Sequence, residues 1–174
     1  GISALITYTD NSIKMTTRGT ATEGLNISNL INYLNLPSID QVKKICKLNK
    51  IKGEKNLLAV RGELIISKNK FNKNWADKMK NARNTVSGLV NSKTVNPNLA
   101  IDTDFIAYEL ISPRLNISEQ MKLIEKMKFN IVYYTIEKSI DQDFLENKLE
   151  ERRLQSNYEV DGIVITDDNL YSIN

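Results

Sequence analysis

The sequence contains no histidine and a single cysteine, Cys46. Without histidine, Ser-His and Cys-His nucleophile pairs and histidine-ligated metals are excluded. A single cysteine excludes an internal disulfide and a zinc cluster. Any acid–base chemistry must therefore use Asp, Glu, Lys or Tyr side chains.

Long apolar runs are also missing, because no stretch approaches the length of a membrane span and no signal peptide opens the chain. The 174 residues, 41% hydrophobic and 26% charged, fit one globular domain with a sizeable core. The bias toward Lys, Asn and Ile indicates an AT-rich genome, bacterial or viral. We therefore expect an intracellular protein, in a bacterial cytoplasm or a virus-infected host cell, with no membrane partner.

The charge is divided unevenly along the chain. Residues 1–100 hold 16 Lys/Arg and 6 Asp/Glu, whereas residues 101–174 hold 8 and 15. A basic half fits a polyanion partner such as nucleic acid, although codon bias and simple solvation explain it as well. The same two explanations apply to the lysine-rich segment after Ser38, which contains Lys43, Lys44, Lys47, Lys50, Lys52 and Lys55.

Strand-like and helix-like patterns alternate along the chain. Strands are predicted over residues 2–9, 12–17, 57–67, 104–111, 130–136 and 160–166. Helices are predicted from near Ser38 and over 71–80, 118–128 and 141–153, with Ser118 and Asp141 as N-caps. The stripe of Phe71, Trp75 and Met79 favours core packing over ligand binding. This mixture predicts an α+β domain with mostly antiparallel sheets flanked by helices.

Two predicted strands each carry one carboxylate beside a glycine. Glu63 follows Gly62 in the first strand, and Asp161 precedes Gly162 in the second. A carboxylate buried on a strand needs a compensating cation or ligand, and glycine allows a close approach. The pair predicts two walls of one polar cleft; the alternative is two ordinary strands with surface acids.

Four polar clusters and the first residues together resemble the adenylation domain of NAD-dependent DNA ligases, a branch of the covalent nucleotidyltransferases. Gly1-Ile2-Ser3-Ala4-Leu5 is similar to the end of the family's Lys-x-Asp-Gly motif and the strand after it. Thr17-Arg18-Gly19, Val60-Arg61-Gly62-Glu63 and Asn81-Ala82-Arg83-Asn84 follow in the family's order, with Ala82 in place of proline. Tyr108 lies at the spacing of an aromatic strand, and Val160 to Ile165 match the Ile-Asp-Gly-Val-Val-Ile strand. The resemblance covers essentially the whole chain, residues 1–174.

The resemblance implies a role for each matching residue. Arg18 and Arg83 would bind the nucleotide phosphate, where guanidinium groups offer bidentate contacts. Glu63 would hold ribose hydroxyls or orient the nucleophile, and Tyr108 would stack on adenine. Asp161 would bind or position Mg²⁺, Val164 would form an apolar floor under the base, and Thr166 would line the same pocket. For each residue the plainer alternative is a surface ion pair, a strand-edge acid or core packing.

The sequence departs from the family pattern at several positions. The nucleophilic lysine would lie just upstream of Gly1, and the last lysine-bearing strand would lie beyond Asn174. We therefore expect residues 1–174 alone not to form the lysyl-adenylate. Thr166 stands where the family usually has lysine, and Asn91 where it usually has a second arginine. Lys93 is a candidate to replace one of these two missing cations.

The activity implied is that of an NAD-dependent DNA ligase, a monomer that transfers AMP from NAD to a lysine and then to the 5′-phosphate of nicked double-stranded DNA, in replication and repair. Two alternatives stay open. One is an ATP-dependent DNA or RNA ligase, or a capping guanylyltransferase, with the same core. The other is a non-catalytic nucleic-acid-binding module that kept the fold.

Overall fold

An antiparallel sheet of four strands, in the order β2-β1-β3-β4, is the centre of the computed structural model. The structure describes residues 1–17, 24–52 and 56–169. The strands are β1 (Ile2–Tyr8), β2 (Ile13–Thr17), β3 (Leu58–Ile66) and β4 (Thr103–Ser112). β1 and β2 form the predicted hairpin, which is closed by a hydrogen bond from Thr9 N to Ser12 O at 2.9 Å.

Six α-helices and one 3₁₀ helix connect or follow these strands in the described ranges. The 3₁₀ helix is Ser28–Tyr33, and the α-helices are α1 (Ile39–Leu48), α2 (Lys68–Asn74), α3 (Ala82–Asn91), α4 (Pro97–Asp102), α5 (Ile117–Lys126) and α6 (Gln142–Gln155). Side-chain oxygens cap the N-termini of the six α-helices, as a polar residue before a helix typically does. Ser38 caps α1 and Asp141 caps α6, which confirms both predicted starts.

The two faces of the sheet differ in burial, because successive strand residues point to opposite sides. One face carries apolar side chains that are almost fully buried, among them Ala4, Ile6, Val60, Leu64 and Phe105. Buried residues of α1, α3, α4 and α5 join these in one hydrophobic cluster. We call the other side the open face: its residues, such as Ser3, Arg61, Glu63 and Tyr108, are only partly buried.

Aromatic packing fixes α5 against the buried face. Phe129 follows α5 and meets Tyr8 edge-on, with ring centroids 5.9 Å apart, and Phe105 at 6.4 Å. Gly62 makes room for this cluster, since a Cβ there would lie 2.4 Å from Phe105 Cζ. The close approach expected at Gly62 is therefore to a core ring.

Two predicted strands are wrong. Residues 160–166 form no strand, and of residues 130–136 only Ile131 pairs, in a single bridge to Ala107. Both segments have β-type alternation, but a strand exists only where a partner completes its backbone hydrogen bonds. In the described part of the chain no named strand pairs with residues 160–166.

Some helix boundaries also differ from the prediction. Ser67 accepts from Lys70 N, so α2 starts at Lys68 and ends at Asn74, before most of the predicted 71–80 span. Asn116 rather than Ser118 caps α5. Trp75 nevertheless packs in the core as predicted, and its indole N–H donates to Asp102 Oδ2 at 2.8 Å.

Candidate functional site

The start of β1 meets the middle of β3 on the open face. The Gly1 nitrogen lies 3.7 Å from Glu63 Oε1, and the Glu63 side chain is 35% exposed. A Cβ on Gly1 would come within 2.5 Å of Glu63 Cγ, so the carboxylate side chain packs directly over this glycine. Glu63 is therefore partly open to solvent but held in place by backbone.

Tyr108 reaches the same region from β4. Its hydroxyl lies 3.0 Å from Ser3 Oγ, although β3 separates β4 from β1 in the sheet. The ring can span this distance because the β3–β4 register shifts between Arg61 and Gly62, next to Tyr108. Such irregularities re-aim side chains beside functional sites. The open face thus brings together Ser3, Glu63 and Tyr108.

Sequence reasoning did not assign a role to Ser3. Ser3 is the direct cross-strand neighbour of Glu63 in the β1–β3 register. A signal was present, because Ser3 is the polar residue of an otherwise apolar stretch, Ile2–Leu5. Only the sheet register shows which carboxylate it faces.

Of the two arginines predicted to bind phosphate, the structure describes Arg83 only. Arg83 lies in the first turn of α3 and is exposed, and Asn81 Oδ1 caps that turn by accepting from Asn84 N at 2.8 Å. The sequence reasoning identified this segment as a polar cluster and did not predict the helix. Arg18 lies outside the described residues.

The segment with Asp161, Val164 and Thr166 does not form the second wall that the sequence predicted. All three residues are exposed, Val164 to 90%, so the expected burial of the Asp161 carboxylate is wrong. Arg153 Nη2 donates to the Asp161 carbonyl at 3.3 Å. Within the described residues, no hydrogen bond or ion pair joins these three side chains to Glu63 or Tyr108. Without a partner strand, the alternation in this segment leaves both its faces in solvent.

Tyr158 nevertheless fastens the beginning of that segment to the sheet. Its hydroxyl donates to Asp104 Oδ2 at 2.7 Å, and Asp104 is paired with Ile65 on the open side of β3 and β4. Burial, and then the hydrogen bond to Asp104, raises the pKa of Tyr158 above its usual range. Lys68 N donates to the neighbouring Asn157 carbonyl at 2.8 Å. The chain thus reaches Asp161 from an anchored point on the sheet.

No group of three or more Asp, Glu or Cys side chains suited to a metal ion occurs in the described ranges. Asp161, the predicted Mg²⁺ ligand, is exposed and belongs to no such group. The described residues therefore supply no set of three protein ligands for Mg²⁺. None of the described helices combines the length and apolarity needed to cross a bilayer.

The sequence matches the family model of the NAD-dependent DNA ligase adenylation domain over residues 1–173. The chain belongs to this family. The adenylation domain described here shares 42% identity with a DNA ligase of Acanthamoeba polyphaga mimivirus over 171 residues, which cover 97% of this chain and 25% of the relative. The resemblance drawn from the motifs is thereby confirmed.

More distant relatives agree. A putative DNA ligase of Invertebrate iridescent virus 6 is 35% identical over 177 residues, 95% of this adenylation domain and 26% of the relative. A DNA ligase of Mycoplasmopsis agalactiae is 30% identical over 173 residues, again 95% of the domain and 25% of the relative. The chain spans about a quarter of the length of these relatives.

Proposed function

We propose that this adenylation domain binds the AMP part of NAD on its open face and serves NAD-dependent sealing of nicked double-stranded DNA. The observation that carries the proposal is the convergence of Glu63 and Tyr108 beside Gly1 and Ser3. A carboxylate that accepts ribose hydroxyls and a ring that stacks on adenine are a suitable pair for a nucleoside. We further propose that the complete fold is of the nucleotidyltransferase type.

The remaining predicted residues are assigned by the same proposal. Arg18 and Arg83 would neutralise phosphate charge, because catalysis of adenylyl transfer depends on cations placed where charge develops. Asp161, Val164 and Thr166 would join the pocket once the 160–166 segment lies against the open face, from its anchor at Tyr158. A magnesium ion would be held mainly by the phosphates of the nucleotide, with Asp161 as its single protein carboxylate.

The proposed chemistry proceeds by phosphoryl transfer and needs no histidine. A lysine amine forms a bond to the α-phosphorus of NAD, and the pyrophosphate bond to nicotinamide mononucleotide breaks. AMP then passes to the 5′-phosphate at the nick, and attack by the 3′-hydroxyl releases AMP. Positioning and charge neutralisation dominate such displacements. We propose that the protein acts inside the cell as a monomer, in DNA replication and repair.

Nick sealing by the protein that carries this domain, with NAD or ATP as the only donor, tests the proposal. We expect sealing with NAD alone. Sealing with ATP alone would instead establish the ATP-dependent alternative. Nicked-duplex binding without sealing with either donor would establish the non-catalytic alternative, to which Asn91 and Thr166 point.

A variant pair tests the site itself. Glu63→Gln removes the charge that strengthens hydrogen bonds to ribose, and we expect a loss of kcat/KM for NAD of about 10- to 100-fold. Glu137→Gln is the matched control and should leave kcat/KM unchanged, because Glu137 is exposed and forms no hydrogen bond or ion pair within the described residues. Equal behaviour of the two variants would remove Glu63 from the site.

A further inference from the structure

Two lysine-bearing helix ends lie side by side, away from the open face. Lys126 Nζ donates to Asn49 Oδ1 at 3.2 Å, which joins the end of α5 to the C-cap of α1. Exposed lysines surround this junction: Lys44, Lys47, Lys50 and Lys52 from α1 and its exit, and Lys126 and Lys128 from α5 and its exit.

In residues 1–17, 24–52 and 56–169, no carboxylate forms an ion pair with Lys44, Lys47, Lys50 or Lys128, so the described residues do not neutralise these four ammonium groups. Glu125 on α5 is exposed and accepts a hydrogen bond from Tyr134, a neutral group that leaves the carboxylate charged, so Glu125 offsets one of the six lysine charges. The junction therefore presents positive charge to solvent.

The backbone shows an unusual choice of residue at both helix ends. Lys50 and Lys128 have φ of 53° and 71°, in the left-handed region where helices usually place glycine. In each case the next residue donates back to the helix, Ile51 N to Cys46 O at 2.9 Å and Phe129 N to Ile124 O at 3.4 Å. Glycine would fit both positions with less strain. Lysine at both positions adds charge to one surface at a cost in backbone strain.

We propose that Lys44, Lys47, Lys50 and Lys128, here called the lysine surface, bind the phosphate backbone of duplex DNA. Compact ammonium groups on flexible stems suit sequence-independent contacts with phosphates. The choice of duplex DNA as the polyanion rests on the proposed function. The C-terminal end of α1 lies at the Tyr8 end of the sheet, because Cys46 Sγ donates to Leu57 O at 3.8 Å and the next residue, Leu58, pairs with Tyr8. The lysines at that end of α1 are therefore at the opposite end of β1 from Ser3 and Glu63.

The test measures binding of a nicked duplex by fluorescence anisotropy between 50 and 200 mM salt, without NAD. The variant combines Lys47→Gln, Lys50→Gly and Lys128→Gly. Each lost phosphate contact lowers the magnitude of the slope of log K against log salt by about 0.9. We expect the slope to fall by about 2 to 3 and the dissociation constant to rise at least tenfold at 100 mM salt. The matched control combines Lys14→Gln, Lys73→Gln and Lys138→Gln, which changes the charge equally at exposed lysines elsewhere.

The glycine substitutions separate binding from folding. They relieve left-handed strain, so the melting temperature of the variant should stay level or rise by about 2–4 °C while DNA binding weakens. An unchanged salt slope, or an equal loss in the control, would overturn the lysine surface. Since NAD is absent, this result is independent of nick sealing: a protein that seals nicks with an unchanged slope loses only this proposal.

Discussion

Gly62 lies between Arg61 and Glu63, and its missing side chain is required by the core. A Cβ there would approach Phe105 Cζ to 2.4 Å and the Ile106 carbonyl oxygen to 2.6 Å. Because the Ile106 oxygen belongs to the backbone, no change of side-chain rotamer can relieve that contact. We expect Gly62→Ala to lower the free energy of unfolding by about 2–3 kcal/mol, measured by urea denaturation.

Gly88 is the matched control for that substitution. It is exposed in α3, and the nearest atom to a Cβ there would be Met79 Cε at 3.8 Å. Gly88→Ala should raise the free energy of unfolding by about 0.5–1 kcal/mol, since alanine favours helix. Equal losses for both variants would contradict the steric explanation at Gly62.

The contact between Ser3 and Tyr108 predicts that substitutions of the two residues have a shared effect on NAD binding. Ser3→Ala and Tyr108→Phe each remove the same hydrogen bond, recorded at 3.0 Å, and leave the ring in place. Each should raise the KM for NAD about two- to fivefold, and the double variant should be no worse than either. Additive losses would show that the hydroxyl groups act separately, so that Ser3 does not position Tyr108.

At the scale of elements, the start of α5 distinguishes two capping residues. Asn116 Oδ1 accepts from Glu119 N at 3.0 Å, whereas Ser118, the cap predicted from sequence, lies inside the helix. Asn116→Ala should cost about 1 kcal/mol of unfolding free energy, because an N-H group of the first turn loses its acceptor. Ser118→Ala, with the backbone contact to Asp168 retained, should cost less than half of that. Thermal unfolding of the two variants measures the difference.

The helices and strands that could be predicted from sequence are those marked by a local feature, such as alternation of apolar residues or a capping residue. The β1–β2 hairpin follows from alternation around Asp10-Asn11, and α1 and α6 follow from Ser38 and Asp141 as caps. The helix predicted over 71–80 starts three residues earlier, at Lys68. Ser67 is one of several polar residues in this stretch, and the sequence does not show which of them caps the helix. The strand prediction for residues 160–166 is wrong for another reason. The alternation of apolar and polar residues is strong there, but a strand also needs the edge of a partner strand, which the local sequence does not reveal.

The sequence predicts the part of the candidate site that lies on paired strands, and it does not predict the part that lies on a separate segment. Glu63 and Tyr108 lie on β3 and β4, which pair directly, so motif residues on them share the open face. Asp161, Val164 and Thr166 depend on how a separate segment meets the sheet, and sequence gives no register for that. The roles predicted for these three residues stay predictions. The same holds for the roles of Glu63, Tyr108, Arg18 and Arg83. Ser3 lies in the strand that follows the family's first motif, and the resemblance implies no role for it. The β1–β3 register is what places Ser3 opposite Glu63.

At the scale of the whole molecule, two tyrosines make the fold sensitive to alkaline pH. Burial raises the pKa of Tyr8, and burial followed by the Asp104 hydrogen bond raises that of Tyr158. Both hydroxyls donate hydrogen bonds, to Pro37 O and Asp104 Oδ2, and ionisation would remove these donors. The folded state therefore holds its phenolic protons more tightly than the unfolded state, whose tyrosines titrate near pH 10.

The sign of the pH dependence follows from this difference. The stabilisation is fully present below about pH 10 and is lost as pH rises from there through the raised folded-state values. Urea denaturation at pH 8 to 11, with tyrosinate absorbance recorded in parallel, should show stability falling above pH 10. The double variant Tyr8→Phe, Tyr158→Phe should be less stable at pH 8 and flatter above pH 10. An equally steep fall in the double variant would assign the alkaline loss to other groups.

The length of β1 sets a minimum length for any duplex that contacts both Glu63 and the lysine surface. Ser3 and Tyr8 are five residues apart, which is about 17 Å along a strand. Duplex DNA rises about 3.4 Å for each base pair, so the same span corresponds to about five base pairs. A nicked substrate would thus need at least one flank of roughly that size to engage Glu63 and the lysine surface together. Progressive trimming of the flanks should produce a threshold in affinity, and the position of that threshold would report the distance between Glu63 and the lysine surface, for which the strand gives the lower limit.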